Sequence, residues 1–250
     1  MKLLEGKHAI ITGAGSSRGL GRAAARLFAE HGATVAMLDL RAAELQEAAS
    51  ELGARHTGRT CDVTSREACQ QVVEALIGEW GKVDVLVNNA GITQPLKVME
   101  IGPEQYDAVL DVNLRGTLYM SQAVIPHMKA RRSGSIINMS SVSGKRGGGI
   151  FGGPHYSAAK AGIMGLSKAM ARELAPFNIR SNSICPGFID TDITAGKMTD
   201  EMMQAVLSGI PMNRIGKPQE VAGCCLFLAS ELSGYVTGSD LDVNGGSLIY

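Results

Sequence analysis

The sequence predicts an α/β fold, a doubly wound, seven-stranded parallel sheet with helices on both faces, and three observations carry that reading. Short apolar runs alternate along the 250 residues with amphipathic stretches of helical period. The first run, residues 7–12 (KHAIIT), leads straight into a glycine-rich turn at 13–21 (GAGSSRGLG) and then an Ala-rich helical segment, the strand–turn–helix order that cradles a pyrophosphate. No Pro- or Ser-rich linker or charge block divides the chain, so residues 1–250 read as one nucleotide-binding domain.

Strands are expected at 8–12, 34–38, 55–61, 83–88, 135–140, 179–185 and 239–243, where apolar residues run without helical spacing. Helices are expected between them, at about 20–31, 41–52, 65–80, 104–131, 155–175 and 218–230. Right-handed crossovers would then gather the strand ends, and any ligand, along one edge of the sheet.

Composition narrows the function. Lys plus Arg and Asp plus Glu number 24 each, which leaves no electrostatic footprint for nucleic acid or anionic lipid. No apolar stretch approaches the ~20 residues of a membrane span, and the start MKLLE has no apolar signal segment. Five cysteines, Cys61, Cys69, Cys185, Cys224 and Cys225, form an odd set without CxxC spacing, so no metal site is expected and a reducing cytoplasm is the simplest location.

The residues that carry chemistry fall at the expected strand ends. Gly13 and Gly15 permit a tight turn, and Gly19 and Gly21 allow close backbone approach at a helix N-terminus. Asp39 ends the second strand, where a carboxylate suits ribose hydroxyls and repels a 2′-phosphate, although a carboxylate capping the next helix fits the same place. Asp62 follows the third strand, and Asn88, Asn89, Ala90 and Gly91 follow the fourth, where small residues let a flat nucleotide pass close to backbone. Ser141 ends the fifth, and Cys185, Pro186 and Gly187 end the sixth. Tyr156 and Lys160 are spaced to share a helix face, which would let an ammonium favour the phenolate. That spacing alone fits an aromatic on a buried face beside a solvated Lys better.

Together these motifs resemble the short-chain dehydrogenase/reductases over essentially the whole chain, including Asn113 in DVNL, the YxxxK pair Tyr156 and Lys160, Thr191, and the ending DVNGG. The resemblance implies a Rossmann-like fold, an NAD(P)-linked oxidoreductase, and a catalytic tetrad at Asn113, Ser141, Tyr156 and Lys160. It implies cofactor contacts at Gly13, Ser17, Arg18, Gly19, Leu20, Asp39, Leu40, Asp62, Val63, Asn89, Ala90, Gly91, Tyr156, Lys160, Pro186, Gly187, Ile189 and Thr191. Assembly as a homotetramer follows from the same likeness. Two intervals look two residues longer than the family pattern, the glycine loop and the Ser141-to-Tyr156 span.

The acidic Asp39 favours NAD. With NAD as cofactor, oxidation of a small-molecule secondary alcohol is the expected activity. The substrate is expected to meet Ser141, Ser143, Gly153 and Tyr156, beneath a lid at about 187–213 whose Met198, Met202, Met203 and Met212 offer an adaptable apolar surface, unless those methionines are core. A fairly hydrophobic, aryl-alkyl alcohol or a polyol fits this reading. The chain also resembles 3-oxoacyl-carrier-protein reductases, and a non-catalytic nucleotide sensor of the same fold is the reading from another class.

Overall fold

The computed structural model describes residues 2–192 and 199–250. Strand β1 (His8–Thr12) leads through the glycine turn into α1 (Leu20–Glu30), then β2 (Thr34–Asp39), α2 (Ala42–Leu52), β3 (Thr57–Thr60), α3 (Arg66–Trp80) and β4 (Val85–Asn88). The second half runs α4 (Pro103–Leu110), α5 (Gly116–Arg131), β5 (Gly134–Met139), α6 (Ser143–Arg146), α7 (Pro154–Leu174), β6 (Ile179–Pro186), α8 (Asp200–Ser208), α9 (Pro218–Ala229) and β7 (Asp240–Val243). The seven strands form one parallel sheet in the order β3-β2-β1-β4-β5-β6-β7, as the alternating pattern predicts. Strand order reverses between β1 and β4, where Ile10 pairs with Leu86, and the crevice outside this switch point is where such sheets bind ligands.

The uninterrupted apolar strands are explained by burial on both faces. On one face Ile11, Met37, Val87 and Ile137 pack under α1 and α9; on the other Ile10, Leu38, Leu86 and Ile136 pack under α3 and α5. β3 is shorter than the 55–61 expected because it is an edge strand of sequence TGRT, paired only with β2 and lacking a core-facing apolar residue. The single helix expected at 104–131 is instead α4 and α5 joined by a π turn at Asp111–Arg115. α6, of only four residues, falls outside the expected helices, whereas α8 is the short Met-rich helix that the segment after β6 suggests. Among the described residues no helix is long and apolar enough to cross a membrane.

Candidate active site

A cleft of about 930 Å³ runs along the carboxyl ends of the strands. Its floor is laced together by small residues and short polar side chains. Thr12 Oγ1 accepts from the Asn89 and Ala90 amides at 3.0 Å, and Asn89 Nδ2 donates to the Thr12 and Gly13 carbonyls at 2.9 Å. Gly13 has φ +65, and a Cβ there would lie 2.7 Å from the Ala90 backbone, so glycine is required by both conformation and space. Gly19 precedes α1, whose N-terminus carries no side-chain cap among the described residues and so keeps its amides for an anion. Arg22, 1% exposed, supports the turn from beneath by donating to the Ala14, Gly15 and Glu44 carbonyls. Sequence reasoning missed it; the signal was a lone arginine on the Ala-rich buried face of α1.

At the far end of this half, Asp39 accepts from the Gly15 amide at 2.9 Å and from the Leu40 and Arg41 amides. Arg41 folds back onto the same carboxylate, Nε to Oδ1 at 3.1 Å. Burial alone would raise the Asp39 carboxyl, but the Arg41 guanidinium and the Gly15 amide outweigh it and hold it below the usual range. Asp62 accepts from Thr64 Oγ1 at 2.8 Å and lines the cleft with Val63 and Leu40. Two expectations change here. Arg18 reaches Asp190 at 2.6 Å and approaches Asp192, while Ser16 donates to Asp192, so the longer glycine loop is tied to the segment after β6. Ser17 is exposed and, like Arg18, lies outside the cleft lining. Leu20, Pro186, Gly187, Ile189 and the buried Thr191 do line it.

The four residues expected as a tetrad, Asn113, Ser141, Tyr156 and Lys160, converge in this cleft. Tyr156 stands beside Ser141, which favours its phenolate, and Ser141 Oγ accepts from the Ser143 amide at 3.1 Å. Lys160 Nζ stands 5.5 Å from the Tyr156 ring centroid and donates to the Met139 carbonyl at 2.8 Å. The π turn swings Asn113 inward, where Nδ2 donates to the Ile92 and Val109 carbonyls. Its Oδ1 is buried and has no partner among the described residues. A Cβ on Gly91 would lie 2.6 Å from that oxygen and 3.4 Å from Lys160 Nζ, so the glycine keeps open a polar gap between them.

Electrostatics at the tetrad depart from the expectation that Lys160 lowers the Tyr156 pKa. Burial dominates both groups: it raises the Tyr156 phenol against the opposing Ser141 hydrogen bond, and it pushes the Lys160 ammonium down to about 8. Each charged form would relieve the cost of the other, since both share one dry site.

The opposite half of the cleft is apolar. Phe151 and Phe188 meet with ring centroids 6.0 Å apart, and Ile150, Val206 and Ile210 complete the wall with Ser143. Gly153, expected in the substrate wall, lies outside the lining: its amide donates to the Gln94 carbonyl, and a Cβ would lie 2.7 Å from the Leu96 carbonyl. It is glycine because two backbones meet there. The expected methionine lining also changes, because α8 presents Ala205 and Val206 to the cleft rather than Met202 or Met203, and Met212 lines a smaller neighbouring cavity. Met198 lies outside the described residues.

A nicotinamide dinucleotide fits these residues. The uncapped helix start, the glycine positions where a Cβ would collide, the Asp39 carboxylate and the orphaned Asn113 oxygen are the features such a ligand needs.

Residues 13–247 match the family described as enoyl-(acyl carrier protein) reductase. An uncharacterized short-chain type dehydrogenase/reductase of Sinorhizobium fredii is 52% identical over 253 residues, covering 99% of this chain and 100% of that protein. A 3-oxoacyl-[acyl-carrier-protein] reductase of Thermotoga maritima is 44% identical, covering 98% of this chain and 99% of its own. The Escherichia coli protein of that name is 41% identical, with 97% of each chain covered.

Proposed function

Because the chain belongs to the short-chain dehydrogenase/reductase family of oxidoreductases, we propose that it is an NAD-dependent enzyme interconverting a secondary alcohol and a ketone that carries a fairly hydrophobic, aryl-alkyl-type substituent. The observation that carries this reading is the Tyr156 hydroxyl, set beside Ser141 and overlooked by Lys160 in the cleft lining. The bound nicotinamide supplies the two-electron hydride exchange. Gly13, Gly19, Asp39, Asn89, Ala90, Gly91, Lys160 and Thr191 would hold the cofactor.

Ser141 and Tyr156 hold the substrate oxygen. Tyr156 donates its proton as a ketone is reduced and takes it back as an alcohol is oxidised. Because burial raises the phenol, Tyr156 stays protonated near neutrality and is a ready donor, whereas the oxidation direction gains as rising pH supplies phenolate. Lys160 and Asn113 Oδ1 flank the gap at Gly91 and offer a donor and an acceptor for returning protons. Asp39 would accept both ribose hydroxyls and repel a 2′-phosphate, which supports NAD.

In this reading the segment at about 187–213 acts as a lid, of which residues 187–192 and 199–213 are described and 193–198 lie outside the described residues. Exposed Val98, Met99, Tyr106, Leu232 and Tyr235 suit burial between copies, which supports a homotetramer, and five free thiols suit a cytoplasmic location. The names of the Thermotoga maritima and Escherichia coli relatives favour a second reading, reduction of 3-oxoacyl thioesters. An absorbance screen of purified protein distinguishes the two. NADH formed from neutral secondary alcohols supports the first reading; rapid NADPH-linked thioester reduction without that activity supports the second.

A further inference from the structure

Among the described residues six charged side chains line the cleft: Asp39, Arg41, Asp62, Arg146, Lys160 and Asp192. Five are engaged, since Asp39 pairs with Arg41, Asp62 accepts from Thr64, Asp192 accepts from Ser16, and Lys160 donates to Met139. Arg146 differs: it makes no hydrogen bond or ion pair among the described residues. It is also the charged group of the substrate half, on the short helix α6 that follows Ser141.

The neighbouring cation on that helix shows the contrast. Lys145 is held by both oxygens of Asp242 and by the Tyr250 hydroxyl, which raises its pKa and fixes the helix. α6 is also seated directly on α7, since a Cβ on Gly144 would lie 2.7 Å from the Ala161 amide nitrogen. Arg146 therefore projects from a fixed support into the cleft lining. Beyond it, Gly147, Gly148 and Gly149 have φ of 75, 66 and 144, and carry no side chains to cover the guanidinium. The apolar Phe151 and Phe188 stand in the same half.

We infer that Arg146 anchors a carboxylate on the substrate, so that the enzyme takes an oxo acid or hydroxy acid with an apolar body. This rests on the oxidoreductase reading above and names its substrate class. A planar guanidinium free of acidic partners matches a carboxylate in two parallel hydrogen bonds. The substrate carbonyl lies at Ser141 and Tyr156, its chain along Phe151 and Phe188, and its carboxylate at Arg146.

The test compares kcat/KM for oxo acids with that for their methyl esters, matched in length and in the distance from carbonyl to carboxyl. Wild type should favour the best acid over its ester by about tenfold or more, a difference that shrinks as salt is raised. In Arg146→Met that ratio should fall close to one, and Arg146→Lys should restore part of it. A wild-type ratio near one, or an unchanged ratio in Arg146→Met because both substrates slow equally, overturns the anchor while leaving the oxidoreductase reading in place. Turnover of neither acid nor ester with either nicotinamide cofactor overturns both.

Discussion

Replacing Lys160 with methionine should make the protein more stable while removing its activity. The ammonium is 4% exposed, and burial moves it from 10.5 to about 8. At about 1.4 kcal/mol for each pH unit, that gap corresponds to about 3 kcal/mol of burial cost in the folded state at neutral pH. Methionine is apolar and similar in length, so it removes this cost, but it also removes the 2.8 Å bond to the Met139 carbonyl, a loss of about 1 kcal/mol. The net gain is about 2 kcal/mol, or about 4–8 °C in Tm for a chain of this size. Below pH 8 Lys160 is charged in both folded and unfolded states, so the cost is fully present. Between about 8 and 10.5 the unfolded chain binds more protons than the folded one, and wild-type stability rises toward that of the variant. Thermal unfolding from pH 7 to 11, read by circular dichroism, should show Lys160→Met melting higher at pH 7, the gap closing as pH rises, and wild type slightly ahead above 10.5, where only the lost Met139 bond remains. A variant that melts lower than wild type at pH 7, or a gap that does not change with pH, would refute this reasoning.

Two further substitutions probe the two halves of the cofactor cleft. Wild type should prefer NAD over NADP by roughly 10²-fold in kcat/KM, because a 2′-phosphate would meet the Asp39 carboxylate; Asp39→Ala should reduce that preference below about tenfold by releasing Arg41 for the phosphate. Equal use of both cofactors by the wild type would count against the assignment. Gly91→Ala should lower kcat by about tenfold or more with little change in Tm, since the new methyl enters the gap between Asn113 Oδ1 and Lys160 Nζ, and wild-type kcat in that variant would show the gap is not used.

The sheet was legible because burial on both faces favours near-continuous apolar strands, and β1, β2, β4 and β5 are largely apolar, while β6 buries Ser181, Asn182 and Ser183 instead. The edge strand β3 lacks that demand, which is why its ends were misplaced. The break at Asp111–Arg115 was signalled only by a mid-helix asparagine, because a π turn leaves the hydrophobic period almost unchanged. That Asn113, Ser141, Tyr156, Lys160 and the glycine turn share one cleft at the strand ends was legible from residue type and order. Gly153 was not: glycine chosen for backbone contact and glycine chosen for an open pocket look alike in sequence. Arg18 was misplaced for a related reason, since its partner, Asp190, lies 172 residues away, and Ser17 stands exposed on the same turn. The methionines failed because a helix face cannot be chosen without knowing where α8 packs.

The account depends most on Tyr156 as the group that moves the substrate proton. The direct measurement is transfer of deuterium from a carbinol-deuterated secondary alcohol to NAD by wild type and by Tyr156→Phe, with NAD binding followed separately by fluorescence. Wild type should yield labelled NADH, while Tyr156→Phe should bind NAD nearly as tightly and turn over about 10²–10⁴-fold more slowly. Turnover by Tyr156→Phe within tenfold of wild type would contradict the account.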